Sequence, residues 1–142
     1  MPYPEYLLAP MRQELTDLGA RECRTPEDVD SVLKSPGVVM MVVNSVCGCA
    51  AAKARPGIGM ALEHANKPDV VATVFAGGDV AATDRARQYF TGFPPSSPAV
   101  ALLRDGQLLY MMERRDIESR SADMIAAQLT LAFDKHCAPV AK

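Results

Sequence analysis

The chain has 142 residues, 49% of them hydrophobic and 23% charged, with a net charge of −2; this is the make-up of one globular unit that can bury a core without disulfide staples. No Lys/Arg run is long enough to track a phosphate backbone, so no nucleic-acid partner is expected. Apolar runs such as Val38 to Val43 fall far short of a membrane span, and the opening Met1-Pro2-Tyr3-Pro4 lacks the basic and apolar regions of an export signal, so the expectation is a cytoplasmic protein with no membrane partner.

In chain order, Glu5 to Leu18 reads as a helix, with Leu7, Leu8, Met11, Leu15 and Leu18 at spacings of three and four and Gly19 as its stop. Thr25-Pro26-Glu27-Asp28 is an N-cap, a first-turn proline and two acids at the positive end of a second, short helix. Pro36-Gly37 breaks it. Val38 to Val43 is a continuous β-branched-rich run, expected to be a strand buried on both faces.

Asn44-Ser45-Val46-Cys47-Gly48-Cys49 follows directly, and then the Ala-rich stretch Ala50 to Ala54. Alanine is the strongest helix former, so the two cysteines stand where a buried strand ends and a helix begins. Pro56-Gly57 should kink or interrupt that helix, which Ile58 to Ala65 carries on. Val70 to Phe75 reads as a second buried strand and Val80 to Phe90 as a helix. Gly92-Phe93-Pro94-Pro95-Ser96-Ser97-Pro98 cannot be regular structure. Ala99 to Leu103 and Gln107 to Met112 are two strands joined by the hairpin signal Asp105-Gly106. The last helix spans Ser121 to Lys135. Strand–helix–strand order implies parallel pairing with right-handed crossovers. The whole predicts an α/β, thioredoxin-like fold: a four-stranded mixed sheet flanked by helices, as a single domain over 1–142 with residues 1–36 as an N-terminal helical extension packed on it.

Four cysteines, Cys23, Cys47, Cys49 and Cys137, would suit a disulfide framework in a small exported protein. In a reducing cytosol they are more often catalytic, metal-binding or inert. The start of a helix carries unpaired N–H groups and about half a positive charge, which favour a thiolate. Lowering a thiol pKa from about 8.5 to about 6.5 raises the thiolate fraction at pH 7 roughly 25-fold. Intrinsic nucleophilicity falls roughly 8-fold over the same change, leaving a net gain of about 3-fold as attacker. The larger benefit is as leaving group, so such a site favours exchange in both directions.

Residues two apart in a regular helix diverge by about 200°, and a disulfide needs Cβ atoms about 3.5–4.5 Å apart. Cys47 is therefore expected just before the first turn, with Gly48 supplying an unusual backbone conformation. The tight ring predicts a strained, readily reduced disulfide, with a potential above thioredoxin's value of about −270 mV. Cys47, at the exposed junction, is expected to attack and Cys49 to resolve. Asn44 and Gly48 around the pair, and Ser97 with Pro98 before a strand, where a cis bond is possible, are taken to shape the site or bind substrate. Ser97-Pro98 enters by fold-level analogy.

Other readings stand beside this one. The two thiols can be small buried hydrophobes, or ligands of zinc or copper. Tetrahedral sites usually need four ligands, and Cys23, Cys137, His64 and His136 make no recognised spacing with them, so no metal is expected. Arg114-Arg115-Asp116 reads as a solvated charged face, with a smaller chance of meeting an anionic thiol. Asp79 reads as a turn residue.

Longer motifs then carry a resemblance: Pro10-Met11-Arg12-Gln13-Glu14-Leu15, Arg24-Thr25-Pro26-Glu27-Asp28-Val29-Asp30, Val43-Asn44-Ser45-Val46-Cys47-Gly48-Cys49-Ala50-Ala51, Ala54-Arg55-Pro56, Val74-Phe75-Ala76-Gly77, the run Tyr89 to Pro98, and Glu113-Arg114-Arg115-Asp116-Ile117-Glu118. Over nearly its whole length the chain resembles the bacilliredoxins. The resemblance implies an enzyme, a thiol–disulfide oxidoreductase that reduces mixed disulfides between proteins and bacillithiol, a cysteine–glucosamine–malate thiol. Cys47 would take the thiol and Cys49 would act in resolution. It implies no bound cofactor, bacillithiol as co-substrate, S-thiolated cytosolic proteins as partners, and weak disulfide isomerase activity. General disulfide reduction or isomerisation, and a metal-binding module, remain the alternatives.

Overall fold

The computed structural model describes residues 3–137. Its centre is the strand β2 (Val38–Asn44), whose seven residues are all buried. The side chains alternate between two cores, as period-two geometry requires. Val38, Met40 and Val42 face one core with Ile58, Ile117, Ile125, Leu129 and Phe133. Val39, Met41 and Val43 face the other with Val29, Leu33, Ala82, Ala86 and Phe90. A strand wrapped this way has no polar face, which is why its sequence reads as one apolar run.

Around β2 lie β3 (Val70–Phe75), parallel to it, and β4 (Ala99–Arg104), antiparallel. β5 (Gln107–Met112) returns antiparallel to β4. The connecting residues Asp105 and Gly106 take φ of 52° and 75°, the positive pair that a tight hairpin turn requires. The predicted four strands are thus present in a mixed sheet. A fifth, β1 (Arg21–Glu22), pairs parallel with the free edge of β3 and makes the order β1-β3-β2-β4-β5. Nothing in Arg21-Glu22 has a strand's pattern; the segment is extended because an open edge lies beside it. The N-terminal segment is therefore not wholly helical.

The helices α1 (Glu5–Thr16), α2 (Pro26–Leu33), α3 (Arg55–Ala61), α4 (Val80–Tyr89), α5 (Arg114–Glu118) and α6 (Ala122–His136) cover the two faces. α3 packs with α6, and α2 with α4. Thr25 caps α2 as expected: its hydroxyl accepts from Asp28 N at 3.1 Å while Asp28 accepts from Thr25 N at 3.2 Å. Ser121 caps α6 through Met124 N. Arg114, Arg115 and Asp116 present a solvated charged face as expected, and they do so on a short helix, Arg114–Glu118, started by a reciprocal cap between Glu113 and Asp116. One point differs from expectation. Asp79 is no simple turn residue, because its carboxylate receives both terminal nitrogens of the buried Arg12 at 2.7 and 3.0 Å.

Arg12 also pairs with Glu5 and Glu22 and lies 5.3 Å over the Phe75 ring. This cluster clamps α1 to the edge of the sheet, and α1 in turn buttresses the end of β2. No helix among the described residues is long and apolar enough to cross a membrane.

Candidate active site at the Cys47–Cys49 turn

β2 ends at Asn44, whose side chain is a junction. Its Oδ1 accepts from Ser45 N and from Arg55 Nη1, both at 2.9 Å, and its Nδ2 donates to the Met11 carbonyl of α1 at 3.2 Å. Arg55 donates again to the Ser45 carbonyl at 3.0 Å and through Nε to Glu14 of α1 at 2.9 Å. Asn44, Ser45 and Arg55 are all buried. The polypeptide leaving β2 is thus held from below by side chains of α1 and of the helix that follows.

Cys47 is the last residue before that helix. Its carbonyl accepts from Ala50 N at 3.0 Å and Ala51 N at 3.3 Å, and its own N–H donates to Ser45 Oγ at 3.2 Å. The sulfur is half-buried, and that partial burial disfavours the thiolate. It is outweighed by the neighbouring N–H of Ala50, Ser45 hydroxyl and N–H of Cys49, and by the charge of Arg114, so the Cys47 pKa is held below the ordinary thiol value. These are the unpaired donors of a helix start acting on an anion. Cys49 stands inside the first turn, half-buried against the core. The two cysteines are free thiols.

The other cysteines differ. Burial, aided by the nearby Asp28 and Asp79, pushes Cys23 up to about 11. Burial and Asp69 push Cys137 up to about 11 as well. Both stay neutral thiols at physiological pH. Among the described residues no three His, Cys, Asp or Glu side chains are grouped so as to hold a metal ion.

The helix after Cys49 begins irregularly. Ala50–Ala54 is a π-helical turn in which Arg55 N bonds back to the Ala50 carbonyl. It relaxes to α-geometry at Arg55–Ala61, with Pro56 in the first turn. Proline brings no N–H and crowds the carbonyl four residues before it. Widening the preceding turn accommodates it, and such turns recur at functional sites. The helix runs through Pro56-Gly57 without the interruption expected there, and the irregular turn lies just before them.

Gly48 departs from expectation. It is exposed, its φ is not positive, and a Cβ added there meets nothing within 4 Å. In the dithiol state neither crowding nor left-handed backbone requires glycine at 48. Gly48→Ala is expected to leave the melting temperature of the reduced protein unchanged or raise it, by about 0.4–1 kcal/mol of unfolded-chain entropy. The penalty should fall on closure of the 47–49 ring, read as a lower disulfide yield in the same thiol buffer. A clear loss of reduced-state stability would contradict this account.

The Ser97–Pro98 peptide bond is cis. Arg114 holds this loop: its N–H donates to Ser96 Oγ at 3.3 Å and its Nη1 to the Ser97 carbonyl at 3.2 Å. The same guanidinium feels the charge of Cys47 and, less strongly, of Cys49. Arg114 thereby links the Ser97–Pro98 loop to the cysteine turn. Arg55 and Glu14 escaped the sequence reading, although Arg55 had one visible signal, a charge beside the buried stripe Ala54, Ile58, Ala61.

The chain is similar to known proteins over most of its length. A family model described as disulphide isomerase matches residues 3–137. A bacilliredoxin of Koribacter versatilis is 58% identical over 140 residues, spanning 98% of this chain and 97% of that protein. A bacilliredoxin of Cytophaga hutchinsonii is 52% identical over 133 residues, spanning 94% and 98%. Among solved structures, the thioredoxin of Malassezia sympodialis superposes with a TM-score of 0.58, covering 84% of this chain and 91% of its own, at 16% identity. At that identity the likeness is one of fold, and the fold is that of thioredoxin.

Proposed function

Because the chain belongs to the bacilliredoxin family and is a thiol–disulfide oxidoreductase of thioredoxin fold, we propose that it strips bacillithiol from S-thiolated cytoplasmic proteins, with Cys47 attacking and Cys49 resolving. The observation that carries the reading is the place of Cys47 at a helix start, where its carbonyl accepts from Ala50 N and Ala51 N and its thiol, despite partial burial, is held below its ordinary pKa by the neighbouring amides and the charge of Arg114.

The steps balance as follows. The Cys47 thiolate attacks the bacillithiol sulfur of the mixed disulfide; a Cys47–bacillithiol disulfide forms and the protein thiolate departs, taking a proton from water. The Cys49 thiol then loses its proton and attacks the Cys47 sulfur. The 47–49 disulfide forms and bacillithiol leaves as a thiolate. The enzyme is now oxidised by two electrons, which a thiol-class reductant must return. Stabilising the Cys47 anion serves the first step, in which Cys47 is the attacker and must be present as thiolate. Burial of Cys49 against the core is consistent with a thiol reached from within the site.

The family description as disulphide isomerase supports a second reading, in which protein disulfides are the substrates. A Cys49→Ala variant separates the two. Incubated with a bacillithiolated protein, it should gain the mass of one bacillithiol on Cys47, read by intact-mass spectrometry. Capture of the protein itself in place of the small thiol would favour the isomerase reading. Neither adduct, with stoichiometric zinc or copper in the reduced protein, would favour a metal-binding module.

A further inference from the structure

The two edges of the sheet are built differently. β1 is two residues long, and its Glu22 is engaged by Arg12 and Arg24. A short, charged edge is a common protection against strand addition. β5 forms the opposite edge with six residues, Gln107-Leu108-Leu109-Tyr110-Met111-Met112, and carries neither a charge nor a proline. Its backbone pairs with β4, and among the described residues no other backbone hydrogen bond reaches Gln107–Met112. The register slips at Leu109, because Leu108 faces Leu103 while Tyr110 faces Leu102. Leu109 and Tyr110 therefore pack toward one core, and Leu108 and Met111 toward the other.

A groove of about 360 Å³ follows this edge, lined by Thr91 and Phe93 and by the consecutive residues Leu108, Leu109, Tyr110 and Met111. These four residues serve both faces of the sheet, so they can share one groove only along the backbone edge. Phe93 is exposed and none of the lining side chains is a carboxylate, ammonium or guanidinium. The groove leads to the reactive end of the molecule. Thr91 and Phe93 belong to the loop that ends in the cis Ser97–Pro98 bond, and Met112 lies across from Val100, two residues beyond Pro98.

An open edge presents N–H and C=O groups at strand spacing, which another extended backbone matches, and an apolar wall beside it accepts apolar side chains. We propose that the β5 edge is a docking strand for substrate proteins: an extended, uncharged, apolar segment adds beside β5 and delivers a neighbouring cysteine to Cys47. The proposal rests on proteins being the substrates, which both readings above share, and adds the segment that is recognised. Strands lie about 4.8 Å apart, so the added strand runs roughly 14 Å from β2, whose end carries the cysteine turn. An extended chain crosses that distance in about four or five residues, which sets the spacing between the docked segment and the reacting cysteine.

Binding is measured first, by fluorescence anisotropy on short peptides with serine in place of the cysteine, so the result does not depend on turnover. A peptide with an apolar β-forming segment about four or five residues from that serine should bind about tenfold tighter than one with a Gly-Ser segment, the effect of burying one apolar side chain. N-methylation of one amide in the segment should weaken binding about tenfold, and the same change one residue along, where the N–H points away from β5, should leave it unchanged. Phe93→Ser should abolish the apolar preference without moving the melting curve. Equal binding of the two peptides, or equal effects of methylation at both positions, overturns the docking strand whatever the enzyme does in turnover. A stable dimer that excludes the peptide assigns this edge to a second copy and also overturns it. Docking as expected, with no bacillithiol removed from the thiolated peptides, upholds the docking strand and sinks the de-thiolation reading alone.

Discussion

Replacing Cys47 by serine should reduce turnover of any disulfide substrate to background while leaving the fold intact. The backbone bonds that shape the turn, from Cys47 N to Ser45 Oγ and from Ala50 N and Ala51 N to the Cys47 carbonyl, do not involve the sulfur. The side chain is only half-buried, so its loss should shift stability by a few tenths of a kcal/mol. A serine hydroxyl at the same place stays protonated and cannot attack sulfur at a useful rate. The pH dependence sharpens the prediction. Cys47 ionises below the ordinary thiol value because the Ala50 amide, the Ser45 hydroxyl, the Cys49 amide and Arg114 together outweigh its partial burial. Its alkylation midpoint should therefore lie below that of free cysteine. The linkage has a definite sign. Between the lowered folded value and the ordinary unfolded value the unfolded chain binds more protons, so this group's contribution rises with pH across that window, is complete above it, and is lost as pH falls through it. Cys23 and Cys137, both near 11 in the fold, act oppositely, since their contribution is lost as pH rises past the ordinary value. They cancel in the difference between reduced wild type and Cys47→Ser. That difference should grow with pH and then level off. A flat difference, together with full turnover by Cys47→Ser, would remove the basis for Cys47 as the attacking group.

Arg55→Met should be the most damaging change that leaves both reactive sulfurs in place. The Arg55 side chain is 3% exposed and serves Asn44, Ser45 and Glu14 together. Methionine fills similar space but leaves the Ser45 carbonyl without this donor and Asn44 Oδ1 with one donor fewer, in a buried region. Groups stranded this way cost about 1–3 kcal/mol each, so a total of about 2–3 kcal/mol is expected, or roughly 6–10 °C in melting temperature. Because Arg55 positions the backbone leading to Cys47, the amide-to-sulfur geometry should also loosen. The alkylation midpoint should then rise toward that of free cysteine, a readout that lost stability alone would not move. Glu14→Gln is the contrast. Glu14 is 51% exposed, water can replace its partner, and the cost should stay within about 1 kcal/mol. A loss for Glu14→Gln as large as for Arg55→Met would show that the salt bridge, and not the buried amide and carbonyl, is what matters.

The parts of this molecule that could be read from one dimension are those whose physics is local. Period and composition placed β2 through β5, the Thr25 and Ser121 caps and the Asp105-Gly106 hairpin, because each depends on a residue and its near neighbours. The same holds for Cys47: a strand that runs out of apolar residues, two thiols and a helix-forming stretch are all contiguous. The irregular elements were less legible. The widened turn at Ala50–Ala54 follows from Pro56 meeting a helix that had already begun, and Arg114–Glu118 is helical because the Glu113–Asp116 cap outweighs its run of charges.

By itself, then, the chain determined the two-faced central strand, the order of strands and helices that leads to a thioredoxin fold, and the position of Cys47 and Cys49 at a strand-to-helix junction. Only the tertiary structure decided that Arg21-Glu22 becomes a strand, that Arg12 and Asp79 meet across 67 residues, that Arg55 carries the floor of the site, and that Arg114 joins the Ser97–Pro98 loop to the sulfurs. The reason is common to all four. A charged residue's sequence neighbours report its solvation poorly, and its role is set by which distant carboxylate, carbonyl or open sheet edge the folded chain places within hydrogen-bonding reach.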